Sequence, residues 1–106
     1  MEFRVINYTE SSYKLQYKSK WFWRDILEGS PYNRMFKDKP YVDGFESGVR
    51  TKIFFSSQDA VEFSEQFDTI DDIYKYHKQV KKDDEDITKR RKALRKEYKV
   101  NIKFKK

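Results

Sequence analysis

The stretch Tyr13–Ile26, YKLQYKSKWFWRDI, decides how the chain is read. Tyr13, Leu15 and Tyr17 alternate with Lys14, Gln16 and Lys18, which is the period of a strand with one buried face. Lys18-Ser19-Lys20 then supplies a tight connection, and Trp21–Ile26 reads as the next strand. Just upstream, FRVINY (Phe3–Tyr8) is rich in β-branched and aromatic residues, and TESS (Thr9–Ser12) is turn chemistry. The first quarter of the chain therefore predicts a three-stranded antiparallel meander.

The pattern dissolves over Leu27–Gly48, which holds every glycine and proline of the chain. A long loop is expected there, pinned to the domain by some of Tyr32, Phe36, Tyr41 and Phe45. VRTKIFF (Val49–Phe55) resumes as a strand with Val49, Thr51, Ile53 and Phe55 in phase. Ser56 and Ser57 can cap the helix that follows, where Ala60, Phe63 and Phe67 share a face. Thr69 with Asp72 is a second capping signature, opening a helix with Ile70, Ile73, Tyr74 and His77 on one side. Asp83–Asp86 ahead of Lys89–Lys92 suits a helix dipole and predicts an exposed helix to about Glu97, continuous with the preceding one or separate from it. YKVNIKFKK (Tyr98–Lys106) alternates again and reads as a final strand. The order β-β-β-loop-β-α-α-β makes a single α+β domain over residues 1–106, an antiparallel sheet with helices on one face. Phe3, Leu15, Ile53, Phe63, Phe67 and Ile102 are the expected core.

Composition narrows the function classes. Forty per cent of the residues are charged, which alone would favour disorder, but nine Phe, eight Tyr and two Trp supply enough burial for a small folded domain. The absence of cysteine excludes disulfides, thiolate metal sites and cysteine nucleophiles. No signal-peptide pattern and no membrane-length apolar run occurs, so a soluble, cytoplasmic protein is expected. The net charge of +6 is uneven: ten Lys or Arg against Glu97 place +9 on Lys89–Lys106, leaving −3 on the remainder. Such asymmetry suits either an anionic partner or a solubilising tail.

Two surfaces carry the candidate chemistry. In a strand, Trp21 and Trp23 share one side while Phe22 shares the other with Arg24 and Ile26. One side is then left without helical cover, and Phe22 or Trp23 beside Arg24 is the expected stacking platform for bases. The alternative is that the Leu27–Gly48 loop covers that side and the rings are plain core. The second surface is the basic helix, with Arg90, Arg91, Arg95 and Lys96 as expected phosphate or partner contacts. Its alternative is a solvated helix end. The acids at 71–72 and 83–86 lack calcium-loop spacing, so no metal is expected. His77 has no nucleophile or second histidine at hand and reads as structural. Neither a phosphate loop nor a catalytic constellation occurs, and a non-enzymatic protein without cofactor is expected.

Together, YKLQYKSKWFWRDI and the later KIFFSSQDAVEF resemble small phage-encoded accessory proteins of unknown function. In those, a Tyr- and Lys-rich hairpin ends in a W-x-W-R-like strand, and a further strand leads into an F-x-(S/T)-x-x-x-A-x-x-F helix. Trp21, Trp23 and Arg24 match the first element; Phe55, Ser57, Ala60 and Phe63 approximate the second with shifted spacing. The resemblance covers residues 13–26 and 52–67 and implies an accessory protein acting on a host or defence component in the host cytoplasm. The resulting expectation is a stoichiometric, non-catalytic binder. It blocks a nucleic-acid-handling host complex, such as a nuclease or CRISPR ribonucleoprotein, or binds nucleic acid itself. Two alternatives stand beside it. One is a sponge for a small anionic nucleotide held between the long loop and the sheet. The other is a homo-oligomer joined along the Ile73, Val80, Ile87, Leu94 stripe.

Overall fold

The computed structural model of the chain describes residues 1–31, 48–100 and 105, with residues 95–100 in backbone only. Its meander consists of Phe3–Thr9 (β1), Ser12–Ser19 (β2) and Phe22–Asp25 (β3), antiparallel in the order β1-β2-β3. Two-residue loops join them, Glu10-Ser11 and Lys20-Trp21. Lys20 sits in the left-handed region, at φ 56°, a conformation that a Cβ-bearing residue adopts at a cost. Trp21 is thus a loop residue and not, as the alternation predicts, a strand residue beside Trp23. The two-residue turn takes it out of the pleat.

Register sorts the side chains. Phe3 faces Tyr17, Val5 faces Leu15, and Tyr17 faces Arg24, so these residues share one side of the sheet. Arg4, Gln16 and Asp25 form the matching row on the other side.

At Ile26 the chain leaves the meander. Its N–H still donates to the Leu15 carbonyl at 2.9 Å, and its carbonyl accepts from the Lys52 N–H at 2.9 Å. Leu27–Gly29 (β4) then pairs antiparallel with Val49–Thr51 (β5). β4 corrects the reading of Leu27 onward as loop. Glu28 fixes this ribbon by holding Arg50 at 3.1 Å and Lys52 at 3.5 Å.

β5 also ends earlier than the pattern predicts. The backbone beyond Thr51 swings from β4 to β2, where Phe54 exchanges two hydrogen bonds with Tyr13, at 2.7 and 2.8 Å. This crossing reverses the expected phase: Phe54 enters the core, and Phe55 is left 82% exposed.

Two helices cover the Leu15 side. Ser57–Ser64 (α1) starts at Ser56, whose hydroxyl accepts from the Asp59 N–H at 3.1 Å. Ile70–Val100 (α2) starts at the Thr69–Asp72 capping box, in which Thr69 Oγ1 accepts from the Asp72 N–H and the Asp72 carboxylate accepts from the Thr69 N–H. Those backbone bonds, from Asp68 and Thr69, hold the Asp72 carboxyl below its usual range.

The core joins Leu15, Tyr17, Ile26, Phe54, Ala60, Phe67 and Ile73, with Phe3, Phe63 and Tyr76 packed around them. Its rings meet edge-on, Phe63 with Phe67 at 5.7 Å and Phe67 with Tyr76 at 5.5 Å. Of the expected core, Phe3, Leu15, Phe63 and Phe67 belong to it; Ile53 does not and is only half-buried, because the crossing puts Phe54 inward in its place.

α2 is one helix of 31 residues, about 46 Å long. It replaces the start of the expected last strand: Tyr98, Lys99 and Val100 are helical. No glycine or proline interrupts Ile70–Val100, and three alternating residues are too few to stop a helix already propagating. Ile102 and Phe104, with the aromatics of the 32–47 segment, lie outside the described residues. Of the heptad stripe, Ile73 is sealed in the core and Val80 and Ile87 line a cleft beside β4.

Candidate functional site

The open side of the meander is a closed polar chain. Arg4 Nε donates to Gln16 Oε1 at 2.7 Å, and Gln16 Nε2 donates to Asp25 Oδ1 at 2.7 Å. Thr51 donates to Asp25 Oδ2 at 2.9 Å, and Lys14 pairs with Asp25 at 3.3 Å. Burial pushes the Asp25 carboxyl up, but the bonds from Gln16, Thr51 and Lys14 outweigh it and hold the group below its usual range. Trp23 lies on this side, half-buried, with the Arg4 guanidinium 4.4 Å over its ring. One face of the Trp23 ring is therefore covered by the protein's own cation.

The opposite side, at the β3 edge, is different. Arg24 projects from β3 toward the first turns of α2. There Tyr74, Lys78 and Lys81 stand at i, i+4 and i+7 on one helical face. The cleft between strand and helix has a volume of about 560 Å³, with Tyr17, Leu27 and His77 at its base.

His77 marks the border between buried and cationic faces of α2. Its Nε2 accepts the Leu27 N–H at 3.0 Å, so the proton of the neutral ring is on Nδ1. Burial lowers its pKa, and the Lys81 ammonium lowers it further. Burial raises the pKa of the Tyr17 phenol, with Tyr74 adding to the rise and Arg24 opposing it. Both polar groups at the base of the cleft are thereby kept neutral at pH 7.

The cations at the rim are available. Arg24, Lys78 and Lys81 are exposed, and among the described residues none is held in an ion pair. Among the described residues the one acid of the lining, Asp25, is committed to Lys14, Gln16 and Thr51. Rings are also exposed nearby: Tyr74 by 49%, Phe22 by 66% and Trp21 by 89%. Phe22 lies two residues from Arg24 on the same side of β3.

Of the residues anticipated from sequence, the structure unites Arg24 and Phe22 at this edge and separates them from Trp23. Arg90 and Arg91 lie on α2, nine and ten residues past Lys81, or roughly 13–15 Å farther along the axis. Both already have interaction partners. Arg95 and Lys96 fall on α2 with side chains outside the described residues. Lys78 and Lys81 are not singled out by the sequence, whose helical periodicity predicts Tyr74 on the buried face. Tyr76 takes that place instead, packing on Phe63 and Phe67.

A second cleft, of about 320 Å³, opens between β4 and α2. Its described lining carries Glu28, Asp83 and Asp84 against Lys52, which is already paired with Glu28. That charge is unfavourable for an anionic nucleotide.

The chain matches no protein-family model, no curated protein and no solved structure. Among the described residues, no helix is long and apolar enough to cross a membrane.

Proposed function

We propose that the chain is a non-catalytic, stoichiometric binding protein that covers an anionic site through a basic and aromatic surface. In the setting implied by the resemblance, it is a phage accessory or counter-defence factor. Its partner is then a nucleic-acid-handling host complex, such as a nuclease or CRISPR ribonucleoprotein, or nucleic acid itself.

One observation carries this reading. Arg24, Lys78 and Lys81 converge on one cleft and, among the described residues, none of them is held in an ion pair, while exposed rings stand beside them. Unpaired cations held close together repel one another, and an anionic partner relieves that repulsion.

Retention on an immobilised polyanion such as heparin tests it. The expected result is elution at a clearly lower salt concentration for an Arg24→Glu, Lys78→Glu double variant than for the unmodified chain. Equal elution of the two would contradict the reading.

A further inference from the structure

We infer that the strip formed by Phe22, Arg24, Tyr74, Lys78 and Lys81 is a track for single-stranded nucleic acid. Phosphates lie against the three cations, and unpaired bases lie against Phe22 and Tyr74. The inference rests on the anionic-partner reading above and gives that partner its chemistry.

Spacing is the first argument. Phe22 and Arg24 are on the same side of an extended strand, so they stand about 6.7 Å apart along it. Tyr74, Lys78 and Lys81 descend one helical face, about 6 Å and then about 4.5 Å apart along the axis. The cleft thus has Arg24 on its strand wall and Tyr74, Lys78 and Lys81 on its helix wall, and Phe22 stands beyond its mouth, two residues from Arg24 on the same side of β3. The cationic run ends at Glu85, one turn past Lys81 on the same face, which bounds the track to a short segment.

Exposure of the rings selects a single strand over a duplex. In a duplex the base faces are stacked on one another, and only unpaired bases offer them to a side chain. Phe22 and Tyr74 are exposed by 66% and 49%, although both belong to regular elements able to fix their positions.

The lining also predicts weak sequence preference. Base edges are read by free hydrogen-bonding side chains. Here the Asp25 carboxylate is engaged by three partners, and His77 Nε2 is occupied by the Leu27 amide. What remains is chiefly the three cations and the ring faces, which every nucleotide satisfies, beside the His77 Nδ1–H and the Tyr17 and Tyr74 hydroxyls of the described lining.

Fluorescence anisotropy with a labelled oligothymidylate of roughly 12 nucleotides, and with a duplex of equal length, tests the inference. The single strand should bind about tenfold tighter than the duplex. Three phosphate contacts should weaken binding about 20-fold between about 50 and about 200 mM salt. Arg24→Gln or Lys81→Gln should flatten the log–log salt slope by about 0.7 each. Phe22→Ala and Tyr74→Ala should weaken binding about tenfold with the slope unchanged, a pattern that merely structural residues would not produce. Tyr74→Leu keeps the bulk of the side chain if the alanine variant folds poorly.

Equal affinity for the duplex, with both ring variants binding like the unmodified chain, would overturn the single-strand track and leave the anionic-partner reading standing. Displacement of the oligonucleotide by thymidine monophosphate at matched phosphate concentration would also overturn the track, in favour of a one-nucleotide pocket. Absence of binding to the oligonucleotides and to heparin alike would overturn both.

Discussion

His77 on α2 accepts the main-chain N–H of Leu27 through Nε2 at 3.0 Å, across 50 positions of sequence. This single bond ties the long helix to the point where the meander gives way to the β4–β5 ribbon. It also sets the height of Lys78 and Lys81 opposite Arg24. A protonated imidazole cannot accept that bond, and the Lys81 charge opposes protonation.

Stability should therefore fall with acid. The folded-state pKa of His77 lies below its unfolded value near 6.5, so the unfolded chain binds the proton first. The contribution is complete above about pH 6.5 and is lost as pH falls through the folded-state value. Urea midpoints measured from about pH 7.5 down to about pH 5 should decline. His77→Phe should lose about 1–3 kcal/mol at neutral pH, from the orphaned Leu27 amide, and should lack the decline.

Lys20 occupies a left-handed position that glycine adopts freely. Lys20→Gly should raise stability by up to about 1 kcal/mol, because the relieved strain exceeds the extra entropy of the unfolded chain. A higher urea midpoint at an unchanged m-value would show this, and a lower midpoint would count against the turn geometry.

Phe54 and Phe55 make an internal comparison. Phe54→Ala removes a ring packed on Phe63 at 5.6 Å and should cost about 3–5 kcal/mol. Phe55→Ala removes an exposed ring and should stay within about 0.5 kcal/mol of the unmodified chain. Reversed effects would mean that the strand keeps its phase beyond Thr51.

Much of this architecture is legible in the sequence because local rules and burial agree there. Tyr13, Leu15 and Tyr17 alternate inward as their spacing requires, and both helix starts lie where Ser56 and Thr69 place them. Legibility fails where one element hands over to another. Nothing local in TKIFF shows that the backbone crosses from β4 to β2 between Thr51 and Phe54, and that crossing alone decides which phenylalanine is buried. Arg24 and Phe22 stood out by their chemistry. Lys78 and Lys81 did not, because their role depends on which side of α2 faces β3. Packing of Tyr76 against Phe63 and Phe67 decides that, and the periodicity of α2 alone does not show which of its aromatics meets them.

Gln16 is a buried amide serving two charged neighbours, Arg4 and Asp25. Gln16→Leu should cost about 1–3 kcal/mol, since the half-buried Asp25 carboxylate loses a bond that water replaces only in part. The Asp25 carboxyl should then titrate higher, because burial raises it and one of the opposing bonds is gone. Side-chain NMR of Asp25 during an acid titration reads the change directly.

The central claim is that anions are met by the Arg24, Lys78, Lys81 cleft and not by the basic charge gathered after Lys89. NMR titration of the isotope-labelled chain with a single-stranded oligonucleotide tests it most directly. The account predicts that the first resonances to shift are those of Phe22, Arg24, Tyr74, Lys78 and Lys81, saturating at one strand per chain. Shifts confined to Lys89–Lys106, with the cleft silent, would contradict it.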